Sequence, residues 1–210
     1  MKIAVIGTGN MGQGFVKQLT LAGHEVRVTA RDLTKARALA DQYAGAVAVA
    51  SGDALQDSDI AILAVGYNDT RSALQSLGDL NGKVIVDITN PLTADYMGLT
   101  LGHDTSAGEE IAKMVPGAIV VKAFNTIFAQ VLADGAKFSQ NETVPVFYAT
   151  DSESAKETVR ELIDSIGFSP VDAGGLKNAR YLEPLGGLNI YFGYGAGKGT
   201  QISPTWISRS

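Results

Sequence analysis

The spacing of three glycines near the start of the chain is the pattern with the clearest chemistry. Gly7, Gly9 and Gly12 form the motif G-x-G-x-x-G, directly after the apolar run 2–6 and ahead of a segment with helical spacing. Between a strand and a helix, Gly7 allows a tight turn, Gly9 lets a pyrophosphate approach the backbone, and Gly12 lets the two elements pack closely. The free amides at the helix start then face the anion. The motif therefore predicts a dinucleotide site.

The residues that end the second predicted strand indicate which dinucleotide binds. A carboxylate there would accept a hydrogen bond from the free ribose hydroxyl of NAD. This chain has Thr29, Ala30 and Arg31 instead. Arg31 offers a planar fork to a phosphate, Thr29 offers a hydroxyl, and Lys35 lies one helical turn beyond Arg31. Asp32 fits better as the cap of the next helix. The pattern favours NADP, and a solvated helix end is the alternative interpretation of the two basic residues.

The composition excludes several kinds of site. The 210 residues contain no cysteine and two histidines, which excludes thiolate catalysis, disulfides, iron–sulfur clusters and metal sites built on cysteine or histidine clusters. A net charge of -5 gives no basic footprint for nucleic acid or an anionic membrane. The chain opens on a strand pattern instead of an apolar leader, and no apolar run reaches the length of a membrane span. We expect a cytoplasmic protein that binds no metal, nucleic acid or membrane.

Strand and helix patterns alternate along most of the chain. Apolar, strand-like runs lie at 2–6, 26–29, 46–49, 60–65, 83–88, 119–123, 144–149 and 170–172. Helical spacing lies between them and after them, at about 10–22, 33–43, 51–57, 69–77, 108–114, 127–132, 151–166 and 176–194. The alternation predicts an α/β fold with a doubly wound parallel sheet of the Rossmann, NAD(P)-binding type. Pro145 predicts an edge position for its strand.

The predicted sheet divides the chain and gathers several segments at one edge. We expect residues 1–175 to form the dinucleotide-binding domain. Residues 176–210 then form a short C-terminal helical extension with a glycine-rich tail, which packs on that domain or on a second subunit. Open parallel sheets bind ligands at the carboxyl ends of their strands. That edge receives the glycine turn and three further pairs of residues: Gly66 with Tyr67, Asn90 with Pro91, and Phe124 with Asn125. The convergence predicts a nicotinamide over the ends of the fourth, fifth and sixth strands.

Four motifs together resemble a known family. They are Gly-Thr-Gly-Asn-Met-Gly at 7–12, Val-Val-Lys-Ala-Phe-Asn-Thr at 120–126, Val-Asp-Ala-Gly at 171–174, and Asn-Ala-Arg-Tyr-Leu-Glu-Pro-Leu at 178–185. The combination is similar to the NADP oxidoreductases that depend on the deazaflavin coenzyme F420 and to their bacterial relatives. The run 115–126 also resembles the cytosolic domain of the STEAP metalloreductases. The resemblance extends over nearly the whole chain, to about residue 200.

The resemblance implies where the parts of the cofactor lie. Thr8, Asn10 and Met11 would hold the pyrophosphate, and Arg31 with Lys35 would hold the extra phosphate. The nicotinamide would be bordered by residues that follow three successive strands of the sheet: Ala64, Val65, Gly66, Tyr67, Asn90, Pro91, Ala123, Phe124 and Asn125. The chain departs from the family in two ways. Ala30 stands where relatives often place a hydroxyl, and without a membrane segment the iron-reducing relay of STEAP proteins cannot be carried over.

The implied reaction is hydride transfer between the nicotinamide of NADP(H) and a small-molecule, flavin-like acceptor, namely F420, FMN or FAD. Such a transfer needs two rings stacked in contact. An acid–base residue is optional because neither ring centre has an alkoxide to protonate, so we assign no catalytic residue. Two alternatives stay open, a reductase of a small carbonyl or imine substrate and a non-catalytic module that senses NADP(H).

A few residues have two interpretations each. Lys122 ends a strand at the ligand edge, where it would either steady an acceptor or form a structural ion pair. Leu188, Tyr191, Phe192 and Tyr194 form a late apolar stretch on which a flavin-type ring could stack, but helix packing or a dimer contact is the commoner explanation for such aromatics. The chain extends too little past its last strand for a large helical substrate domain. We therefore expect a homodimer and an acceptor site that is shallow or completed by a second subunit.

Overall fold

An eight-stranded sheet forms the centre of the computed structural model, which describes residues 1–139 and 142–209. Its strands are β1 Lys2–Ile6, β2 Glu25–Thr29, β3 Ala46–Ala48, β4 Ile60–Leu63, β5 Val84–Asp87, β6 Ile119–Ala123, β7 Pro145–Ala149 and β8 Ser169–Asp172. They lie side by side in the order β3-β2-β1-β4-β5-β6-β7-β8. Neighbours are parallel except for β6 and β7. The order from β3 to β6 is that of a dinucleotide-binding sheet, so the predicted Rossmann fold is confirmed.

Helices cover both faces of this sheet. They are α1 Asn10–Leu21, α2 Leu33–Ala40, α3 Thr70–Gln75, α4 Ala107–Met114, α5 Ala129–Asp134, α6 Glu153–Ser165 and α7 Ala179–Ile190. Short 3₁₀ turns precede α3 and α7, at Tyr67–Asp69 and Leu176–Asn178, and one replaces the helix expected at 51–57, at Ser51–Asp53. A π-helical turn, Tyr191–Gly195, continues α7. Most of the predicted helices are present, but several are shorter than their patterns.

Successive side chains of a strand alternate between the two faces of the sheet, and each face packs against one layer of helices. Ile3 and Val5 belong to one buried cluster, with residues of α1, α2, α5 and α6. Ala4 and Ile6 belong to a second cluster on the opposite face, with residues of α3 and α4. Because successive side chains of a strand point to opposite faces, a strand with a layer on each side must be apolar throughout. All four residues of β4 are buried for this reason.

The position predicted for Pro145 was wrong. Its strand, β7, lies between β6 and β8, and β6 pairs with it only through Lys122 with Ala149 and Ala123 with Tyr148. Pro145 is the first residue of β7 and lies beyond the last paired residue of β6, so no hydrogen-bonding partner on β6 is lost by the missing N–H. The register runs in opposite directions along the two strands, so β7 is antiparallel to β6, which the alternation of elements did not predict.

The described residues contain neither a membrane-spanning helix nor a cluster of metal-binding side chains. No helix within 1–139 and 142–209 is long and apolar enough to cross a membrane. In the same part of the chain, no group of three or more histidine, cysteine, aspartate or glutamate side chains is arranged to hold a metal ion.

Candidate functional site

The glycine turn joins β1 to α1 and has room for a ligand at only one of its three glycines. A Cβ on Gly7, where φ is 121°, would lie 2.2 Å from the carbonyl oxygen of Ala64, and a Cβ on Gly12 would lie 2.1 Å from that of Gly7. The protein's own packing therefore requires both glycines. Gly9 has an ordinary φ of -69° and no atom within 4 Å of a would-be Cβ. The open space at Gly9 borders the first amides of α1, which is where a pyrophosphate would fit.

A first cavity of about 360 Å³ lies beside this turn, between the loops that follow β2 and β4. Nine of its lining residues were predicted as cofactor ligands: Gly7, Thr8, Gly9, Ala30, Arg31, Lys35, Ala64, Val65 and Gly66. Sequence reasoning missed four polar ones, which are Ser51, Asp69, Ser72 and Ser76. The cavity combines two basic side chains and several hydroxyls, which suit the phosphorylated ribose of NADP, with the carboxylates of Asp32 and Asp69.

The structure shows where the side chains at and after the end of β2 lie. The Thr29 side chain is buried, and its Oγ1 lies 3.2 Å from Oγ of Ser51. The hydroxyl that lines the cavity is therefore that of Ser51, while Thr29 stands behind it. Asp32 caps α2 as expected, because its Oδ1 accepts a hydrogen bond from the Thr34 amide at 2.9 Å. Arg31 is 83% exposed and pairs with Asp69, with Nη1 3.3 Å from Oδ1.

A second, smaller cavity of about 200 Å³ lies at the ends of β5 and β6. Predicted residues Met11, Asn90, Phe124 and Asn125 line it, with Tyr194 of the late apolar stretch. Three residues of α7 that sequence reasoning had not placed there also line it: Gly186, Asn189 and Ile190. These come from a segment far from the glycine turn in sequence. Only the packing of α7 over the sheet edge brings them together.

Two asparagines fix the shape of this second cavity. Asn90 Nδ2 donates to the carbonyl oxygen of Asn125 at 2.8 Å, and Asn125 Nδ2 donates to Asn90 Oδ1 at 2.9 Å and to the Leu182 carbonyl at 2.8 Å. Gly186 packs against the pair so closely that a Cβ would lie 2.8 Å from the Asn125 carbonyl oxygen. The Oδ1 atom of Asn125 is buried and accepts no hydrogen bond within the described residues. A buried acceptor of this kind fits an amide N–H of the nicotinamide.

Phe124 gives the turn after β6 its unusual backbone. Its φ is 59°, in the left-handed region that a bulky residue rarely adopts. The ring is fully buried and meets Phe15 of α1 edge to face, with centroids 5.0 Å apart. Packing on α1 therefore holds a strained residue in place, and strain of this kind is concentrated at functional sites.

Other predicted residues lie near the two cavities without lining them. Gly12, Pro91 and Ala123 are buried in the packing beneath, and Asn10 borders a shallow groove outside both cavities. Tyr67 is half-buried in the turn after β4. Burial first, and then the carboxylates of Glu110 and Glu183, raise the pKa of Tyr67, so its phenol stays protonated at neutral pH.

Lys122 forms the structural ion pair that was one of its two interpretations. Its Nζ is fully buried, 2.6 Å from Asp87 Oδ2 and 2.8 Å from Glu183 Oε1, and it donates to the Thr89 carbonyl at 2.7 Å. With these three partners, its ammonium group has no hydrogen left for an acceptor. The cluster instead ties α7, through Glu183, to the ends of β5 and β6 directly beside the second cavity.

Comparison with known proteins identifies relatives of this chain. The family model described as NADP oxidoreductase, coenzyme F420-dependent, matches residues 2–91. The F420-dependent NADP reductase of Methanothermobacter marburgensis is 33% identical over an alignment of 211 positions that covers 90% of this chain and 91% of that protein. Metalloreductase STEAP3 of Rattus norvegicus is 31% identical over 88% of this chain, which spans 36% of that longer protein.

A solved structure supports the same relationship. A protein from Arthrobacter sp. FB24, provisionally named an F420-dependent NADP reductase, superposes with a TM-score of 0.83 at 29% identity, over 95% of this chain and 96% of the other. This chain belongs to the NADP oxidoreductase family described as coenzyme F420-dependent and is an NADPH-dependent oxidoreductase.

Proposed function

We propose that this protein transfers a hydride between NADP(H) and a flavin-like ring, and that the deazaflavin coenzyme F420 is the acceptor to test first. The names of the archaeal relatives and of the matching family support F420. FMN and FAD offer a similar flat ring and are the competing acceptors. The proposal assigns the phosphorylated adenosine to the first cavity, the pyrophosphate to the space at Gly9, and the nicotinamide to the second cavity.

The chemistry of the second cavity carries this proposal. Its described lining residues include no histidine, lysine, arginine or carboxylate; the polar ones are amides, a threonine and two tyrosines. Reduction of a carbonyl requires a proton donor at the developing alkoxide, which among these residues only the largely exposed phenols of Tyr96 and Tyr194 could supply, whereas transfer between two rings depends on contact and alignment. An amide-lined, largely apolar cavity therefore suits a ring acceptor better than a carbonyl substrate.

The protein's part in the reaction is binding, orientation and exclusion of water. When bound, NADPH supplies the hydride and the acceptor ring receives it. Asn125 Oδ1 would accept a hydrogen bond from the nicotinamide amide, and the bonds from its Nδ2 to Asn90 and Leu182 fix its orientation. Phe124, Phe128 and Ile127 supply apolar walls that keep water from the ring. Pre-set orientation of this kind is the main contribution that a protein makes to cofactor chemistry.

We further propose that the protein acts as a homodimer that completes the acceptor site. The second cavity, at about 200 Å³, is smaller than a typical pocket for one drug-sized ligand, about 300–1,000 Å³. Two exposed tyrosines, Tyr96 and Tyr194, line it. Three further exposed apolar side chains lie next to Tyr96 in sequence, on α7 and on the turn that continues α7: Met97, Leu188 and Tyr191. A second copy packed on this surface would deepen the cavity. Sedimentation of the full chain tests this, and a monomer at micromolar concentration would contradict it.

Rapid mixing of the protein with NADPH and separate acceptors tests the proposed reaction. We expect NADPH to be oxidised fastest with F420, more slowly with FMN or FAD, and not with simple ketones or cyclic imines. Turnover only with a ketone or imine would favour the alternative reductase. Tight binding of NADPH without turnover on any acceptor would favour a sensing module. Glu161→Gln, a charge change on the outer face of α6, serves as a control that should match the wild type.

A further inference from the structure

The first cavity contains a carboxylate that the sequence did not place there. Asp69 ends the 3₁₀ turn after β4 and lines the cavity, and its Oδ1 lies 3.3 Å from Nη1 of Arg31. Arg31 follows β2, so the ion pair joins the two loops between which the adenosine would enter. A negative charge at this point is unexpected in a cavity that should receive the extra phosphate of NADP.

The ion pair between Arg31 and Asp69 is weak enough for a ligand to displace it. The Arg31 and Asp69 side chains are 83% and 48% exposed, and a single pair of this kind contributes little stability in water. A phosphate monoester carries about -1.5 to -2 charges at neutral pH and three acceptor oxygens, so it binds a guanidinium more strongly than one carboxylate does. Arg31 can therefore leave Asp69 and bind a phosphate. Breaking the ion pair with Asp69 reduces the net free energy that the phosphate contributes to NADP binding.

We propose that Asp69 is a specificity-determining residue that weakens the preference for NADP over NAD. Without nucleotide, Asp69 forms an ion pair with the Arg31 guanidinium, which the phosphate of NADP must displace. With NADP bound, the Asp69 carboxylate repels that phosphate. The serines that line this cavity are neutral, and its second carboxylate, Asp32, already accepts a hydrogen bond from the Thr34 amide as the cap of α2. NAD has no phosphate at this position and should be indifferent to Asp69. The inference rests on the proposed binding of the phosphorylated ribose in the first cavity.

A different role for Asp69 makes the opposite prediction. Its carboxylate would be able to accept a hydrogen bond from the adenine amino group, which NAD and NADP share. In that case, removing the Asp69 charge would weaken the binding of both nucleotides to a similar extent. The effect on the ratio of the two affinities therefore separates competition for Arg31 from recognition of adenine.

Calorimetric titration of the full chain with NADP and with NAD tests the proposal. We expect Asp69→Asn to tighten NADP binding about threefold to tenfold and to leave NAD within about twofold, because a nearby like charge is removed only from the phosphate. The gain should shrink as salt rises, since both charges are solvent-exposed. Glu161→Gln removes the same charge from α6, far from the cavity, and should change neither affinity.

A double variant isolates the part of the Asp69 effect on NADP affinity that depends on Arg31. In an Arg31→Ala background, Asp69→Asn should give a smaller gain for NADP than it gives in the wild type, because no guanidinium remains to be released. Equal shifts for NADP and NAD, loss of NADP affinity, or an unchanged ratio would each overturn the proposal. If the wild type binds neither nucleotide, the proposed function fails and this inference fails with it; if the wild type prefers NADP and Asp69→Asn does not alter that preference, only the inference fails.

Discussion

The buried cluster of Lys122, Asp87 and Glu183 allows a prediction of stability whose size follows from its burial. The Lys122 ammonium lies 2.6 Å and 2.8 Å from the two carboxylates, and all three side chains are essentially inaccessible to water. Glu183 also accepts hydrogen bonds from the amides of Ala107 and Gly108, at the first turn of α4. Replacing Lys122 by Met keeps most of the side-chain volume but leaves two buried carboxylates without their cation.

The expected cost is large because the remaining charges cannot reach water. Removing one partner of a buried ion pair typically costs about 3–5 kcal/mol, so we expect Lys122→Met to lower the free energy of unfolding by about 4 kcal/mol. With a urea dependence of about 3 kcal/mol per molar for a chain of this size, the midpoint should fall by about 1.3 M. Natural domains have about 5–15 kcal/mol in total, so the variant should still fold.

Urea denaturation followed by circular dichroism provides the measurement, and two further variants make it specific. Lys113→Met removes a lysine that is 67% exposed from its pair with Glu110 and should cost less than about 1 kcal/mol. Lys122→Met combined with Asp87→Asn and Glu183→Gln removes all three charges and should recover at least half of the loss. A single-variant cost below about 1 kcal/mol, or a triple variant no more stable than the single one, would refute the argument from buried charge.

Three further predictions concern the nucleotide and pH. Gly9→Val should abolish binding of NADP and NAD in titrations with little change in melting temperature, because its backbone is unstrained and its surroundings are open; Gly102→Val is the control, and retained affinity would exclude the pyrophosphate from this turn. Arg31→Ala should weaken NADP binding about tenfold to a hundredfold and barely change NAD binding. Equal losses of affinity for the two nucleotides would reject the assignment of Arg31 to the phosphate. The hydrogen bond from Arg180, above all, lowers the pKa of Glu109 below its ordinary 4.5. Ionised Glu109 therefore stabilises the fold above that value, and the contribution is lost as pH falls through the lowered pKa. Between pH 6 and 3 the wild type should lose more stability than Glu109→Gln, and parallel urea midpoints would contradict this.

Local patterns predicted the parts of the fold that depend on neighbouring residues. The strands at 2–6 and 119–123 have the predicted bounds, and Asp32 caps α2 as its type suggests. The first and third glycines of the turn are required by close backbone contacts, as the motif implies. These features follow from periodicity, capping and steric size within a short stretch of chain.

Features that depend on distant parts of the chain could not be predicted in the same way. Asp69 and Arg31 are 38 positions apart, and Lys122 and Glu183 are farther apart still, so their contacts exist only after the sheet has closed. The antiparallel entry of β7 is likewise decided by how it aligns with β6 and not by its own residues. One signal was available in the sequence: Ser51 follows the third strand, and the carboxyl end of a strand is where this fold places ligand contacts.

The two cavities differ in what holds them together, and this difference should separate their functions. The first cavity is built from residues that follow β1, β2, β3 and β4, including residues of α3, within the amino-terminal half of the sheet. The second depends on α7, which Glu183 secures to Lys122 and which Leu182 joins to Asn125. A variant that disturbs the buried cluster should therefore loosen the second cavity while leaving the first intact. On this reasoning Lys122→Met should slow hydride transfer to any acceptor but retain the preference for NADP over NAD, and an altered preference would show that the two cavities are coupled.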